Sequence, residues 1–245
     1  MTVDFSSELK RKRRFAGVTP QFGTANTPKP EALRSRSPYY WWWQYLRRSN
    51  DYRQCCEAGG TGELAELFAD FGDVRDGDFK AWWQSRGQYL FCEPAAPTRM
   101  RVVENRAELV DSDFVAALVL VLPLSMSKRY LRARFGELLK KEHPAKRGAV
   151  SIKWSKAPYP LLAKTPVRTL AKTLRVYDLR ESEPTLSLYQ IGEWLKLSPT
   201  LILSARDSPA QATDKKRMMG IIVSRYLRHA KAYIANVAKG QFPKK

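Results

Sequence analysis

The chain has 245 residues, enough for one sizeable domain or two small ones, and 44% of them are hydrophobic, which argues against wholesale disorder. Lys and Arg number 43 against 24 Asp and Glu, a formal net charge of +19. Such an excess repels itself in a compact protein, so a polyanionic partner is expected, nucleic acid first and an anionic membrane second.

The longest apolar run, Phe114 to Leu124, is too short to span a bilayer and contains Pro123. Residues 1–9 lack the apolar block of a secretory signal. Three cysteines, of which Cys55 and Cys56 are adjacent, make no disulfide framework. These features lead to the expectation of a cytoplasmic chain with no membrane partner.

Residues 1–36 read as a flexible basic arm with five consecutive cations, Lys10-Arg11-Lys12-Arg13-Arg14. Such a run is either a solvated tail or a phosphate-contacting arm, with Arg11 and Arg13 as its candidate contacts. Residues 37–87 read as an aromatic-rich helical module. Ser37 is placed to cap a helix with Pro38 in its first turn, and the segment Tyr39-Tyr40-Trp41-Trp42-Trp43-Gln44-Tyr45-Leu46 is expected to continue as helix to Gly59-Gly60. A second helix is expected over Glu63 to Phe71, and a third begins where Asp78 caps Phe79-Lys80-Ala81-Trp82-Trp83. Residues 50–80 hold eight acids against three bases, so this stretch is a poor phosphate surface and better suited to packing or to a protein partner.

Residues 88–160 read as an α+β centre. Tyr89 to Cys92 and Met100 to Val103 have the composition of short strands, and Val115 to Leu122 that of a buried one. Ser127 then caps a helix reaching about His143 and ended by Pro144. Leu131, Phe135, Leu138 and Leu139 share one arc of it, while Arg129, Arg132, Arg134, Lys140 and Lys141 lie outside that arc. From Lys128 to Arg175 there are 14 bases and two acids, which places the positive charge in the rear of the chain.

Residues 161–245 read as a basic helical module, helical from Pro166 onward. Ser187 caps a short helix over Leu188 to Leu195, and Asp214 is expected to open a long helix reaching Lys239 and closed by Gly240. On a helical wheel Met219, Ile222, Val223, Tyr226, Ala230, Tyr233, Ile234 and Val237 fall within one arc of about 120°. Arg217, Arg225, Arg228 and Lys231 lie opposite, with Ile221 as the exception. The short helix resembles the first helix of a helix-turn-helix, although the loop after it exceeds the tight turn of that motif.

The aromatic segment at 39–45 would suit base stacking, but its helical spacing favours packing in a core. His143 and His229 are the only histidines and have no metal-ligand spacing. No Cys-x-x-Cys pair, phosphate-binding P-loop or Gly-x-Ser-x-Gly elbow is present, so no catalytic residue, metal or cofactor is assigned. Asp70, Asp73, Asp76 and Asp78 have the chemistry to hold Mg²⁺, yet turn formation and helix capping account for the same acids.

Four segments together resemble an uncharacterised family of basic proteins carried by bacterial prophages and integrative elements. They are Pro38-Tyr39-Tyr40-Trp41-Trp42-Trp43, Asp70-Phe71-Gly72-Asp73-Val74, Ser224-Arg225-Tyr226-Leu227-Arg228 and Gly240-Gln241-Phe242-Pro243. The resemblance spans most of residues 37–243 and implies a mobile-element or phage-defence setting, with no activity attached.

The sequence therefore predicts a mainly helical α+β protein that binds nucleic acid without catalysis, DNA before RNA, as a regulator or accessory factor. Arg217, Arg225, Arg228 and Lys231 are the leading phosphate contacts and Arg129, Arg132 and Lys140 the next. An RNA-binding subunit of a ribonucleoprotein and a protein-interaction adaptor using the acidic aromatic module are the alternatives, with a Mg²⁺-dependent nuclease below both.

Overall fold

The computed structural model describes residues 13–23, 30–75, 77–94, 102–109, 118–142, 152 and 155–245, and the described residues are predominantly helical. The chain divides into two compact units. One comprises Met1–Gly17 and Gln88–Pro160, the other Val18–Gly87 and Leu161–Lys245. The aromatic and C-terminal segments, read as separate modules from the sequence, thus belong to one unit.

In that second unit the first helix, α1 (Pro30–Arg34), leads to α2 (Pro38–Leu46). Ser37 caps α2 by accepting the Tyr39 N–H at 3.2 Å, and Pro38 fills the first position, where its missing N–H costs nothing. Tyr39, Tyr40, Trp42, Trp43, Tyr45 and Leu46 are all buried, so the helix is apolar nearly all round, as a central core helix must be. The helix does not continue to Gly59. It stops at Leu46, and Ser49 caps a new helix, α3 (Asn50–Glu57), by accepting the Tyr52 N–H.

Next come α4 (Ala65–Phe71) and α5 (Phe79–Trp82), the latter extended by a π-helical turn, Trp83–Gly87. Asp78 caps α5 by accepting the Ala81 N–H at 3.1 Å. Gly72 ends α4 at φ +67°, ψ −171°, a conformation essentially reserved for glycine. The Tyr52 hydroxyl donates to the Gly72 carbonyl at 2.7 Å and the Trp82 indole N–H to the Phe71 carbonyl at 2.8 Å, so the turn is tied from both sides.

Against α2 lie two helices from the end of the chain, α8 (Val167–Ser182) and α10 (Pro209–Val237). Between them runs α9 (Leu188–Trp194), capped by Ser187 with Gln190 answering in a capping box. Val176 of α8, Ile191 of α9 and Met219 and Val223 of α10 form one buried cluster. A Cβ on Gly192 would come within 2.4 Å of the Met219 Cγ, so only glycine permits this approach of α9 to α10. After α10 the chain turns at Gly240 (φ +68°) and inserts Phe242. Its ring lies 5.5 Å from Trp42, 5.3 Å from Tyr45 and 5.8 Å from Tyr233, and its carbonyl accepts the Leu162 N–H at 2.9 Å.

The long helix begins five residues before its expected start. Ser208 caps it, Pro209 is its first residue and Gln211 completes a capping box, which leaves Asp214 inside the helix.

In the first unit the expected strand at Tyr89 to Cys92 is instead a helical turn, α6 (Gln88–Leu90), followed by a turn at Phe91. The Glu93 N–H donates to the Arg14 carbonyl at 2.8 Å and the Tyr159 N–H to the Leu90 carbonyl at 3.1 Å. Helix α7 (Lys128–Glu142) is capped by Ser127, which accepts the Tyr130 N–H, and none of its residues is buried. Residues 118–122, the described part of the expected buried strand, form no strand, and all five are exposed. Val102 and Val103 are not in a strand either, while Met100, Arg101 and residues 115–117 lie outside the described residues. Among the described residues the only β pairing is an isolated parallel bridge between Leu161 and Phe242. A strand needs a partner to satisfy its backbone, and the composition of a run does not specify one.

Candidate nucleic-acid interface

Helix α10 is divided lengthwise. Met219, Val223, Ala230, Tyr233 and Val237 are buried, whereas Arg217, Arg225, Arg228 and Lys231 are all exposed. At 1.5 Å per residue, Arg217 and Lys231 stand roughly 21 Å apart along the axis. Ile221 lies within this face, 54% exposed.

Asp214, one turn before Arg217, accepts from the Arg217 guanidinium at 2.8 Å. Both side chains are exposed, so the pair contributes little to stability, at most about 1 kcal/mol, and an incoming phosphate can displace it. Lys215 is committed elsewhere: its ammonium donates to both oxygens of Asp207 at 2.7 and 2.8 Å, and that hydrogen bond holds the Asp207 carboxyl below its ordinary range. Among the described residues no ion pair forms at Arg225, Arg228 or Lys231. His229, half-buried beside Tyr233, has its pKa lowered by burial and then by Lys245, Arg228 and Arg225, so it is neutral at pH 7.

The other sequence candidates fall in the first unit. Arg129, Arg132 and Lys140 are exposed on α7, where Arg134 pairs with Glu137 at 2.8 Å and Lys141 with Glu142 at 3.8 Å. Arg13, expected on a flexible arm, is docked: its guanidinium donates to Gln88 Oε1 at 2.7 Å and covers the Tyr89 ring at 4.6 Å. Arg11 lies outside the described residues.

A second concentration of cations emerges only in three dimensions. Arg47, Arg48, Arg53 and Arg75 line one open cleft of about 390 Å³. Arg48 donates through Nε and Nη2 to Asp178 of α8 at 3.0 and 2.8 Å, a fork that fixes its plane. Arg75 grips Asp73 in the same manner, at 2.7 Å for the shortest contact, and reaches Glu57 at 3.7 Å. That hydrogen bond holds the Asp73 carboxyl below its ordinary range and raises the Arg75 pKa further. The Arg47 guanidinium stacks on Trp43 at 4.5 Å and donates to the Arg75 carbonyl at 2.5 Å.

The sequence candidates did not include Arg47, Arg48, Arg53 or Arg75, the last of them 28 residues beyond Arg47. The signal was the cation pair directly after an apolar helix, together with a base inside an acidic stretch. Arg48 also lines a neighbouring groove of about 200 Å³ with Tyr177 and Lys231. Lys231, the last cation of the α10 row, thus lines a groove that shares Arg48 with the arginine cleft.

Of the acids considered for Mg²⁺, Asp73 holds Arg75, and Asp78 caps α5 and contacts Arg34 at 3.5 Å. Asp76 lies outside the described residues. Among the described residues no three His, Cys, Asp or Glu side chains gather where a metal ion could sit, and no helix is long and apolar enough to cross a membrane. The chain matches no family model, no curated protein and no solved structure.

Proposed function

We propose that this protein binds nucleic acid without catalysing a reaction on it, with duplex DNA as the favoured partner. The observation that carries this reading is the exposed cation row Arg217, Arg225, Arg228 and Lys231 on a helix whose opposite face is locked in a core. A rigid row roughly 21 Å long runs beside on the order of 12 phosphate charges of a duplex, at one per about 1.7 Å of axis. Such contacts set orientation, and base readout would come from other side chains. The connection between α9 and α10, residues 195–208, is longer than a helix-turn-helix turn, so α10 docks by its exposed flank rather than as a tightly turned recognition helix. With the resemblance to proteins of prophages and integrative elements, the role is that of a regulator or accessory factor of a mobile element or phage-defence system, in the cytoplasm.

Single-stranded nucleic acid is the second reading, favoured by Trp194, whose indole on α9 is 68% exposed and open to a stacking base. Against it, Tyr39, Trp42, Trp43 and Tyr45 are consumed by the core. Competition among duplex DNA, single-stranded DNA and RNA separates the two. Replacing Arg217, Arg225, Arg228 and Lys231 together with Gln should flatten the slope of log K against log salt by roughly 0.9 per lost phosphate contact on duplex DNA. An unchanged slope refutes the assignment.

A further inference from the structure

The geometry points to the cleft lined by Arg47, Arg48, Arg53 and Arg75 as a phosphate-binding site that takes the phosphate or pyrophosphate group of a nucleotide, apart from the α10 row. The observation is the convergence of four guanidiniums on one concavity, with most of them oriented by the protein in advance. Asp178 fixes Arg48, Asp73 fixes Arg75, and the Trp43 ring supports Arg47. Arg53 is the most exposed of the four, and its hydrogen bond to the Arg47 carbonyl is long at 3.4 Å, so its donors are the readiest to turn to an incoming anion. The forks of Arg48 and Arg75 are engaged by Asp178 and Asp73, so an incoming anion is met chiefly by Arg53 and by the Arg47 guanidinium, whose seat on an indole has already cost it much of its hydration. Oriented donors bind more tightly because the cost of ordering them is met in folding. A compact, multiply charged group uses four arginines in a concavity better than one backbone phosphodiester does. Tyr177 lies in the adjoining groove that shares Arg48, beside the site.

That the phosphate belongs to a nucleic-acid strand rests on the proposed function; that the cleft holds phosphate does not. Calorimetry of the full chain with pyrophosphate should give one saturable site. Arg53→Gln should weaken it by about tenfold, the scale of one charge-assisted hydrogen bond. Arg206→Gln, at an exposed arginine outside the cleft, serves as the control for net charge and should leave affinity within about twofold. Thermal melting of the unliganded Arg53→Gln variant should match the parent, which separates lost binding from lost fold.

No saturable binding, or equal losses at Arg53 and Arg206, overturns the site. A duplex with 5′-phosphate ends competing better than one with 5′-hydroxyl ends identifies the source as a strand end, competition by neither identifies it as a free nucleotide, and equal competition by both overturns the preference for a terminal group. The triple variant Arg217→Gln, Arg225→Gln, Arg228→Gln should lose duplex affinity and keep pyrophosphate. If duplex is not bound by the parent while pyrophosphate binds in an Arg53-dependent way, the nucleic-acid reading falls and the cleft stands.

Discussion

Helix α10 buries Met219, Val223, Ala230, Tyr233 and Val237 beneath its cations, whereas α7 carries Arg129, Arg132 and Lys140 with no residue buried. Both are amphipathic by spacing and both are basic. The difference lies beneath them: α10 rests on Tyr45, Phe242 and the α8–α9 cluster, while Leu131, Phe135 and Leu138 of α7 remain half-buried and Leu139 exposed. A cation row held by a core presents charge at fixed spacing. A row on a helix with nothing buried must be ordered when it binds, at a cost in entropy that subtracts from affinity. For this reason α10 leads the candidates and α7 follows.

The contrast is sharpest in stability. Phe242→Ala empties a site enclosed by Trp42, Tyr45 and Tyr233 and should cost about 3–5 kcal/mol in denaturant unfolding. Phe135→Ala on α7 should cost less than about 1 kcal/mol, and similar losses at both positions would erase the distinction.

Glycine substitutions give a smaller effect with opposite signs. Gly192→Ala drives a methyl into Met219 and should destabilise by about 1–3 kcal/mol. Gly136→Ala on α7 meets nothing within 4 Å and should stabilise that helix by up to about 1 kcal/mol, since alanine loses less backbone entropy. A loss at Gly136 would mean that α7 is packed after all.

The smallest effect is a titration. The pKa of His229 is lowered in the fold, chiefly by burial, so between its folded and ordinary values the unfolded chain binds more protons. Stability should therefore fall as pH drops below about 6.5, and His229→Gln should remove that slope. An unchanged slope would show that the imidazole is solvated. No matching dependence is expected from α7, none of whose described residues is a histidine.

Much of the helical architecture was legible because its signals are local. Ser37, Asp78, Ser127 and Ser187 each cap a helix as the sequence predicts, since a side-chain oxygen two or three residues from an open N–H needs no distant partner. The division of α10 into apolar and cationic faces was equally readable. The break at Ser49 was missed because the helical spacing runs on past it, and the start at Ser208 was misplaced because Asp214 offers a competing cap. Residues 118–122, the described part of the apolar run before α7, have strand-like Val and Leu content but form no strand, since a strand depends on a partner that local composition does not specify.

What the amino-acid order determined by itself was the excess of positive charge, the helical punctuation and the rear-half location of most cations. Only the tertiary structure decided that Arg47 and Arg75 share a cleft, that Asp178 of α8 orients Arg48, and that Lys231 shares a neighbouring groove with Arg48. Periodicity encodes which face of one helix is apolar, but not which side chains from three helices meet. That depends on how aromatic rings from residues 39–45 and 233–242 fill a common volume, and no window of sequence holds both.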